Sequence, residues 1–257
     1  KLSYFYLFSV QRLGLTLVRL LGFKIFSGEL NDVFSQKRRQ CIINTLNPHS
    51  YIKSMSDPVF YEALSASDVL LPDGSGILFA SKILNGKSIN KITGPEAMDF
   101  ALSYLNRAGG KVYFLGSSEK ILSSIKIRMT EAYSNIDVLT FSPPFSDEFT
   151  DSENRKILDS VTEFNPDLLC VAMTAPKQEK WVYINKGQLP ACCIMSIGAA
   201  IDWFSGVKKQ PSKFSRRFHL AWFERFAREP IRMMPRIKSM IFFIYIVLRI
   251  KIKKILK

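Results

Sequence analysis

Six apolar runs recur along the chain, each closed by turn-forming residues: CIINTLN from Cys41, DVLLPDG from Asp68, KVYFLGS from Lys111, DVLTFSPP from Asp137, DLLCVAM from Asp167 and CCIMSIG from Cys192. Within the runs hydrophobicity is continuous rather than alternating, which is the pattern of parallel strands covered on both faces. Helix-length segments separate them, amphipathic in stretches such as Glu119 to Tyr133 and Glu153 to Phe164. Strand, helix, strand in this order predicts an α/β fold around a mostly parallel sheet.

In a Rossmann-like sheet of this kind, flanked by helices, ligands gather at the carboxyl ends of the strands. Those ends are polar and glycine-rich: Thr45 and Asn47, then Asp73-Gly74-Ser75-Gly76, Gly116-Ser117-Ser118, Thr174 to Glu179, and Gly198 to Asp202. Each alone also reads as a plain turn. Five on one predicted edge point to a cleft. Neither a P-loop nor a GxGxxG fingerprint is present, so the ligand is not identified by the usual nucleotide signatures.

The last fifth of the chain differs from the rest. Residues 207–257 hold 15 Lys or Arg against Glu224 and Glu229, nearly all of the net charge of +14, while residues 1–206 are close to neutral. This predicts three parts: an apolar and basic N-terminal segment (1–25), an α/β catalytic domain (26–206), and a basic helical C-terminal appendage that associates with membrane (207–257). The appendage contains the most apolar run, Met240 to Ile250, followed by KIKKILK. That run falls short of the roughly 18 to 20 apolar residues needed to span a bilayer. It is expected to lie in an interface or to pack as a terminal helix. The N-terminal segment lacks the small-residue cleavage site of a signal peptide. Because the chain opens on Lys1 without a methionine, residues ahead of it are expected to be missing. The four cysteines lie in apolar runs without CxxC spacing, and the two histidines, His49 and His219, are far apart. Reduced core cysteines and no protein-built metal site are expected.

Asp73 is the sharpest chemical candidate, since a carboxylate ahead of glycines at a strand end reaches a ligand hydroxyl with little hindrance. Asp-Gly is equally a common turn pair. Lys177, Gln178 and Glu179 after Pro176 could open a helix whose N-terminal amides face an anion, or form an ordinary helix start with acidic preference. On one helix, Arg217, Arg225 and Arg228 fall within about 80° of arc, beside an i+4 stripe of Phe214, Phe218, Trp222 and Phe226. Guanidinium forks suit phosphate oxygens. Pro230 should end that helix and assign Arg232 and Arg236 to the next element.

Taken in order, these residues resemble the WecG/TagA/CpsF glycosyltransferases of bacterial surface-polymer synthesis, from about Asn44 to Arg232. The resemblance rests on Thr45-Leu46-Asn47, Leu71-Pro72-Asp73-Gly74-Ser75-Gly76, Thr93-Gly94, Phe114-Leu115-Gly116, Ser142-Pro143-Pro144-Phe145, Pro166-Asp167, Ala175-Pro176-Lys177-Gln178-Glu179 with Trp181, Gly198-Ala199-Ala200-Ile201-Asp202 with Gly206, and Glu229-Pro230 with Arg232. It implies an inverting, metal-independent enzyme without a cofactor, taking N-acetylmannosamine, its uronic acid or a related sugar from a UDP-sugar. The acceptor it implies is a saccharide on undecaprenyl diphosphate, at the cytoplasmic membrane face. In that picture Asp73 is the base. Thr45 and Gln178 join it as catalytic residues and, with Asn47, bond sugar or acceptor hydroxyls, while Arg225 and Arg232 lead the phosphate ligands with Arg217 and Arg228. Gly74, Gly76, Lys91, Gly116, Lys177, Glu179, Gly198 and Asp202 line the substrate site.

Three positions depart from the family pattern: Lys91 where many members have Arg, Thr174 where a small residue is common, and Ala199 in place of a second glycine. A different donor would account for them. The competing class is a non-enzymatic α/β protein that holds nucleic acid or membrane with its basic tail. The run Met240 to Ile250 argues against nucleic acid, and the joint presence of Asp73 and Gln178 argues against loss of catalysis. A homo-oligomer is left open.

Overall fold

A computed structural model describes residues 14–35, 39–208, 215 and 221–256. An antiparallel hairpin of β1 (Leu17–Leu20) and β2 (Phe23–Phe26) leads into a short helix, α1 (Leu30–Phe34). The six predicted runs form β3 (Cys41–Leu46), β4 (Val69–Pro72), β5 (Gly110–Gly116), β6 (Ile136–Phe141), β7 (Leu168–Ala172) and β8 (Cys193–Ser196). All six are parallel, in the order β4-β3-β8-β7-β5-β6. Between them lie α2 (Pro48–Ser54), α3 (Pro58–Ser65), α4 (Ser75–Asn85), α5 (Gly94–Ala108), α6 (Glu119–Ala132), α7 (Asp151–Phe164) and α8 (Lys177–Asn185). After β8 come α9 (Ala200–Phe204), α10 (Ala221–Arg228) and α11 (Pro230–Ile255). The fold is the expected Rossmann-like α/β architecture.

Continuous hydrophobicity in the strands has a direct cause: side chains alternate between two covered faces. On one face Ile43, Val69, Val112, Phe114, Cys170 and Met195 pack under α5, α6 and α9. On the other, Ile42, Tyr113, Leu169, Val171 and Ile194 pack under α7 and α8. Helix starts are set locally. Thr93 and Glu96 form a capping box ahead of α5, as Thr150 and Glu153 do ahead of α7, each pair meeting two orphan amides reciprocally.

The helix after β3 lies on the α8 face, and the helix after the neighbouring β8 lies on the opposite one. Where successive connections diverge in this way, a crevice opens at the carboxyl edge.

The C-terminal region is partly built into the body. Phe243 and Val247 of α11 are fully buried, in one cluster with Leu20, Phe23 and Ile25 of the hairpin and Phe60, Leu64 and Ile77. Phe243 meets the Tyr51 ring edge-on at 5.3 Å. Gly76 makes this crossing possible, because a Cβ there would stand 2.4 Å from Pro48 and 3.0 Å from the Met240 sulfur. The expected boundary after residue 25 therefore falls inside β2, whose hairpin shares a core with α11. As expected, Pro230 separates two helices, occupying the first turn of α11 where its missing N–H costs no bond. No helix among the described residues is long and apolar enough to cross a membrane. Cys41, Cys170 and Cys192 are buried and Cys193 half-buried, and all four are free thiols.

Candidate active site

The carboxyl edges of β3 and β4 assemble the first wall of the crevice. Their register pairs Thr45 with Leu71 and Leu46 with Pro72, and the Asp73 N–H extends the ladder to Leu46 O at 2.9 Å. Asn47 and Asp73 therefore sit side by side as the chains leave the sheet. Gly74 turns the backbone at φ +90°, a region side-chain-bearing residues rarely enter, and places α4 immediately after Asp73. Asp73, Thr45 and Asn47 are all half-buried. The loop carrying Lys91 returns to the same edge, since the N–H of Ile92 donates to Pro72 O at 3.0 Å. Behind it, Gly94 opens α5 against the Thr45 methyl.

One end of Asn47 is already occupied. Its Oδ1 accepts from the Ser50 N–H at 2.9 Å and caps α2, while Ser50 Oγ accepts from the Asn47 N–H. The side-chain carbonyl is thereby committed locally. The amide nitrogen is the end with chemistry to offer a ligand.

Gln178 and Glu179 lie in the first turn of α8, both 4% exposed. Gln178 Oε1 accepts from the Gly198 N–H at 3.0 Å, and its Nε2 donates to Glu179 Oε1 at 2.8 Å. The glutamine thus clips α8 to the turn after β8, where Gly198 sits at φ +46°. Burial pushes the Glu179 carboxyl above its ordinary range, opposed by the Gln178 amide and by Lys53. Lys177 points elsewhere: its ammonium donates to Ser146 O and lies 3.7 Å from the Phe149 ring centroid, anchoring the loop after β6. Gly116 is required by strand packing, because a Cβ would approach Ala172 O to 2.6 Å.

After β8, Asp202 pairs with Lys208 at 3.0 Å, and Lys208 also reaches Glu229 at 3.4 Å. Glu229 in turn holds Arg232 at 3.2 Å, so one ionic chain joins the β8 edge to the start of α11. Burial of Glu229 is outweighed by Lys208 and Arg232, which hold its carboxyl below the usual range. Arg228 pairs with Glu224 along α10. Arg217, Phe214 and Phe218 lie outside the described residues, as do the side chains of Arg225 and Trp222. Among the described residues no group of three or more His, Cys, Asp or Glu is placed to hold a metal.

Three features escaped the sequence reading. Lys208 bridges two elements. His49 Nδ1 meets Ser239 Oγ at 2.9 Å and ties α2 to α11. The third is the pair of polar residues inside apolar strands, Asn44 and Ser196, both buried. Their polarity within such runs is the signal that could have found them.

Residues 13–256 match the profile of the glycosyl transferase WecG/TagA/CpsF family, nearly the whole chain. The chain belongs to that family. Among its curated relatives is an N-acetylglucosaminyldiphosphoundecaprenol N-acetyl-beta-D-mannosaminyltransferase from Bacillus spizizenii, 25% identical over 80% of this chain and 79% of the relative. A Staphylococcus aureus protein of the same name is 26% identical over 85% and 84% respectively. Bacillus subtilis has another, 24% identical over 80% and 79%. Membership in a WecG/TagA/CpsF family of glycosyltransferases agrees with the expectation raised by the motifs.

Proposed function

We propose that this chain is an inverting glycosyltransferase that moves N-acetylmannosamine, or a closely related sugar, from its UDP derivative to N-acetylglucosaminyl diphosphoundecaprenol. The observation that carries the reading is Asp73, set beside Asn47 at the shared carboxyl edge of β3 and β4 and followed by a left-handed glycine. The relatives' name specifies a β-linked product, and direct displacement on an α-linked nucleotide sugar gives that configuration. Asp73 takes the proton of the attacking acceptor hydroxyl as the new glycosidic bond forms. The bond to UDP breaks on the opposite face, and negative charge collects on its β-phosphate. Cations there stabilise the transition state more than the ground state. Arg217, Arg225, Arg228 and Arg232 are the proposed source, with Lys91 on the other rim. Thr45, the Asn47 amide and Gln178 orient sugar hydroxyls. No step in this scheme calls for a metal.

In this reading the enzyme works at the inner membrane face, where the acceptor's lipid is anchored. Support comes from α11: Ile241, Tyr245, Leu248 and Ile252 are exposed on the side away from the buried Phe243 and Val247, flanked by Lys251 on one side and by Arg249 and Lys253 on the other. An amphipathic helix of this kind lies in the interface and is drawn to anionic headgroups.

UDP release with UDP-N-acetylmannosamine and a lipid-diphosphate acceptor tests the reaction. Asp73→Asn should lower kcat by about 10²- to 10⁴-fold while the protein stays folded and binds UDP. Near-normal turnover in that variant removes Asp73 from the role of base.

A further inference from the structure

Three buried side-chain atoms among the described residues have no hydrogen-bond partner: Asn44 Oδ1, Glu179 Oε2 and Ser196 Oγ. Such atoms are uncommon, because nothing offsets their desolvation. These three fall together. The register of β3 and β8 pairs Ile43 with Met195, so Asn44 and Ser196 are the next positions and neighbours. By alternation both share the face of Ile42 and Ile194, which lie in one buried cluster with Val182 of α8. Helix α8 descends from the carboxyl edge, and Glu179 precedes Val182 by one turn on the same helix face. Three residues of helix cover about 4.5 Å and two residues of strand about 6.6 Å. Glu179 therefore comes over the Asn44–Ser196 pair as Val182 comes over Ile42 and Ile194.

The Gln178 amide and the backbone N–H of Glu179 itself donate to the carboxyl, and neither satisfies Oε2. Asn44 Nδ2 is committed to Ser67 Oγ at 2.9 Å, which leaves Asn44 Oδ1 as a pure acceptor. A carboxylate adds a second acceptor in Glu179 Oε2, and the Ser196 hydroxyl donates to neither. A proton on Oε2 supplies the missing donor. Of the charged groups around it, Lys53 is the one that opposes this state. Asp57 and Lys180 neutralise each other at 2.7 Å, Glu62 of α3 accepts from Tyr183, and Lys53 alone acts across from α2 to favour ionisation. Burial outweighs Lys53 and raises the carboxyl.

We propose that Glu179 works as a neutral carboxylic acid and as a positioning residue. Its Oε2–H bonds into the Asn44–Ser196 pair, while its Oε1 holds the Gln178 amide in the orientation that accepts from Gly198. The positioning role rests on the reading of Gln178 as a substrate contact; the protonation state does not.

Glu179→Gln keeps an acceptor for Gln178 and a donor below, with no proton to lose. Its kcat and KM should stay within about threefold of wild type, whereas Glu179→Ala frees the amide and loses about 10²-fold in kcat with less change in KM. Two readouts need no activity. Infrared difference spectra of wild type against Glu179→Gln at pH 7 should show the C=O stretch of a protonated carboxyl. The Gln178 side-chain amide should be protected from exchange in wild type and Glu179→Gln and unprotected in Glu179→Ala. A chain that transfers no sugar thus defeats the proposed reaction and leaves these two readouts to decide the glutamate. A carboxylate band at pH 7, a Glu179→Gln variant as impaired as Glu179→Ala, or an equally protected amide in all three overturns the proposal.

Discussion

The two walls of the crevice are built on different physical terms. The wall formed by β3, β4 and the start of α8 is ordered from below: Asp73 continues a backbone ladder, Asn47 caps a helix, and Gln178 is clamped at both ends of its amide. The second wall, from Asp202 through α10 to the start of α11, is held by ion pairs between partly exposed side chains. Backbone register and buried hydrogen bonds fix position to a fraction of an ångström. Exposed ion pairs contribute little net stability and exchange partners readily. The first wall suits a base and sugar contacts that must be in place before substrate arrives. The second suits cations that leave their glutamates for a phosphate once it is bound.

The sharpest way to break this comparison lies where α11 enters the core beside α2 and α4. Phe243 anchors α11 in the core, so Phe243→Ala should lose about 3–5 kcal/mol of unfolding free energy, measured by urea denaturation. Loss of only a few tenths would mean that the whole C-terminal region is loosely attached. The proposed division between buried anchor and adjustable rim would then fail.

Arg228 and Arg232 carry the next largest effect. Replacing either by Ala should leave the urea midpoint nearly unchanged, since exposed pairs contribute about 0–1 kcal/mol. In the proposed reaction the lost cation acts on charge that develops only in the transition state, so turnover should nevertheless fall by about tenfold to 10²-fold. Added salt should erode the wild-type advantage. A variant with unaltered kcat places the phosphate elsewhere.

A pH series separates the walls in another way. Glu179, raised by burial, binds its proton in the folded state at pH values where the unfolded chain has released it. Wild type should therefore lose thermal stability relative to Glu179→Gln as pH rises above the usual carboxylate range. Glu229 has the reverse sign: Lys208 and Arg232 depress it against the pull of burial, so its contribution is lost on acidification below that range. Melting curves between pH 4 and 8 distinguish the two, and a flat difference for Glu179→Gln counts against a shifted proton there.

The sheet was legible because strands covered on both faces leave unbroken apolar runs, and each of the six is present where the pattern put it. The polar strand ends were legible for the same reason, since they are where such runs stop. What side chains do at those ends was not. Lys177 beside an expected anion site turns to a loop carbonyl, and Gly76 and Gly116 serve close packing against Met240 and Ala172. Those roles depend on partners dozens of residues away, which no local spacing encodes. The buried half of α11 was hidden differently: its basic residues dominate the composition, while Phe243 and Val247 pack inward at an i+4 interval.

Asn47 carries the smallest effect and the finest distinction, because it is at once a helix cap and a candidate sugar contact. Truncation to Ala confounds the two, removing a cap worth about 1 kcal/mol together with the amide. Asn47→Ser separates them, since serine caps a helix N-terminus about as well but has no amide to reach beyond it. Full stability with a several-fold rise in KM for the donor or acceptor would assign the Nδ2 end of Asn47 to the substrate. Stability and kinetics both at wild-type levels would reduce Asn47 to a cap, and Asp73 and Thr45 would then be the contacts left at that edge of β3 and β4.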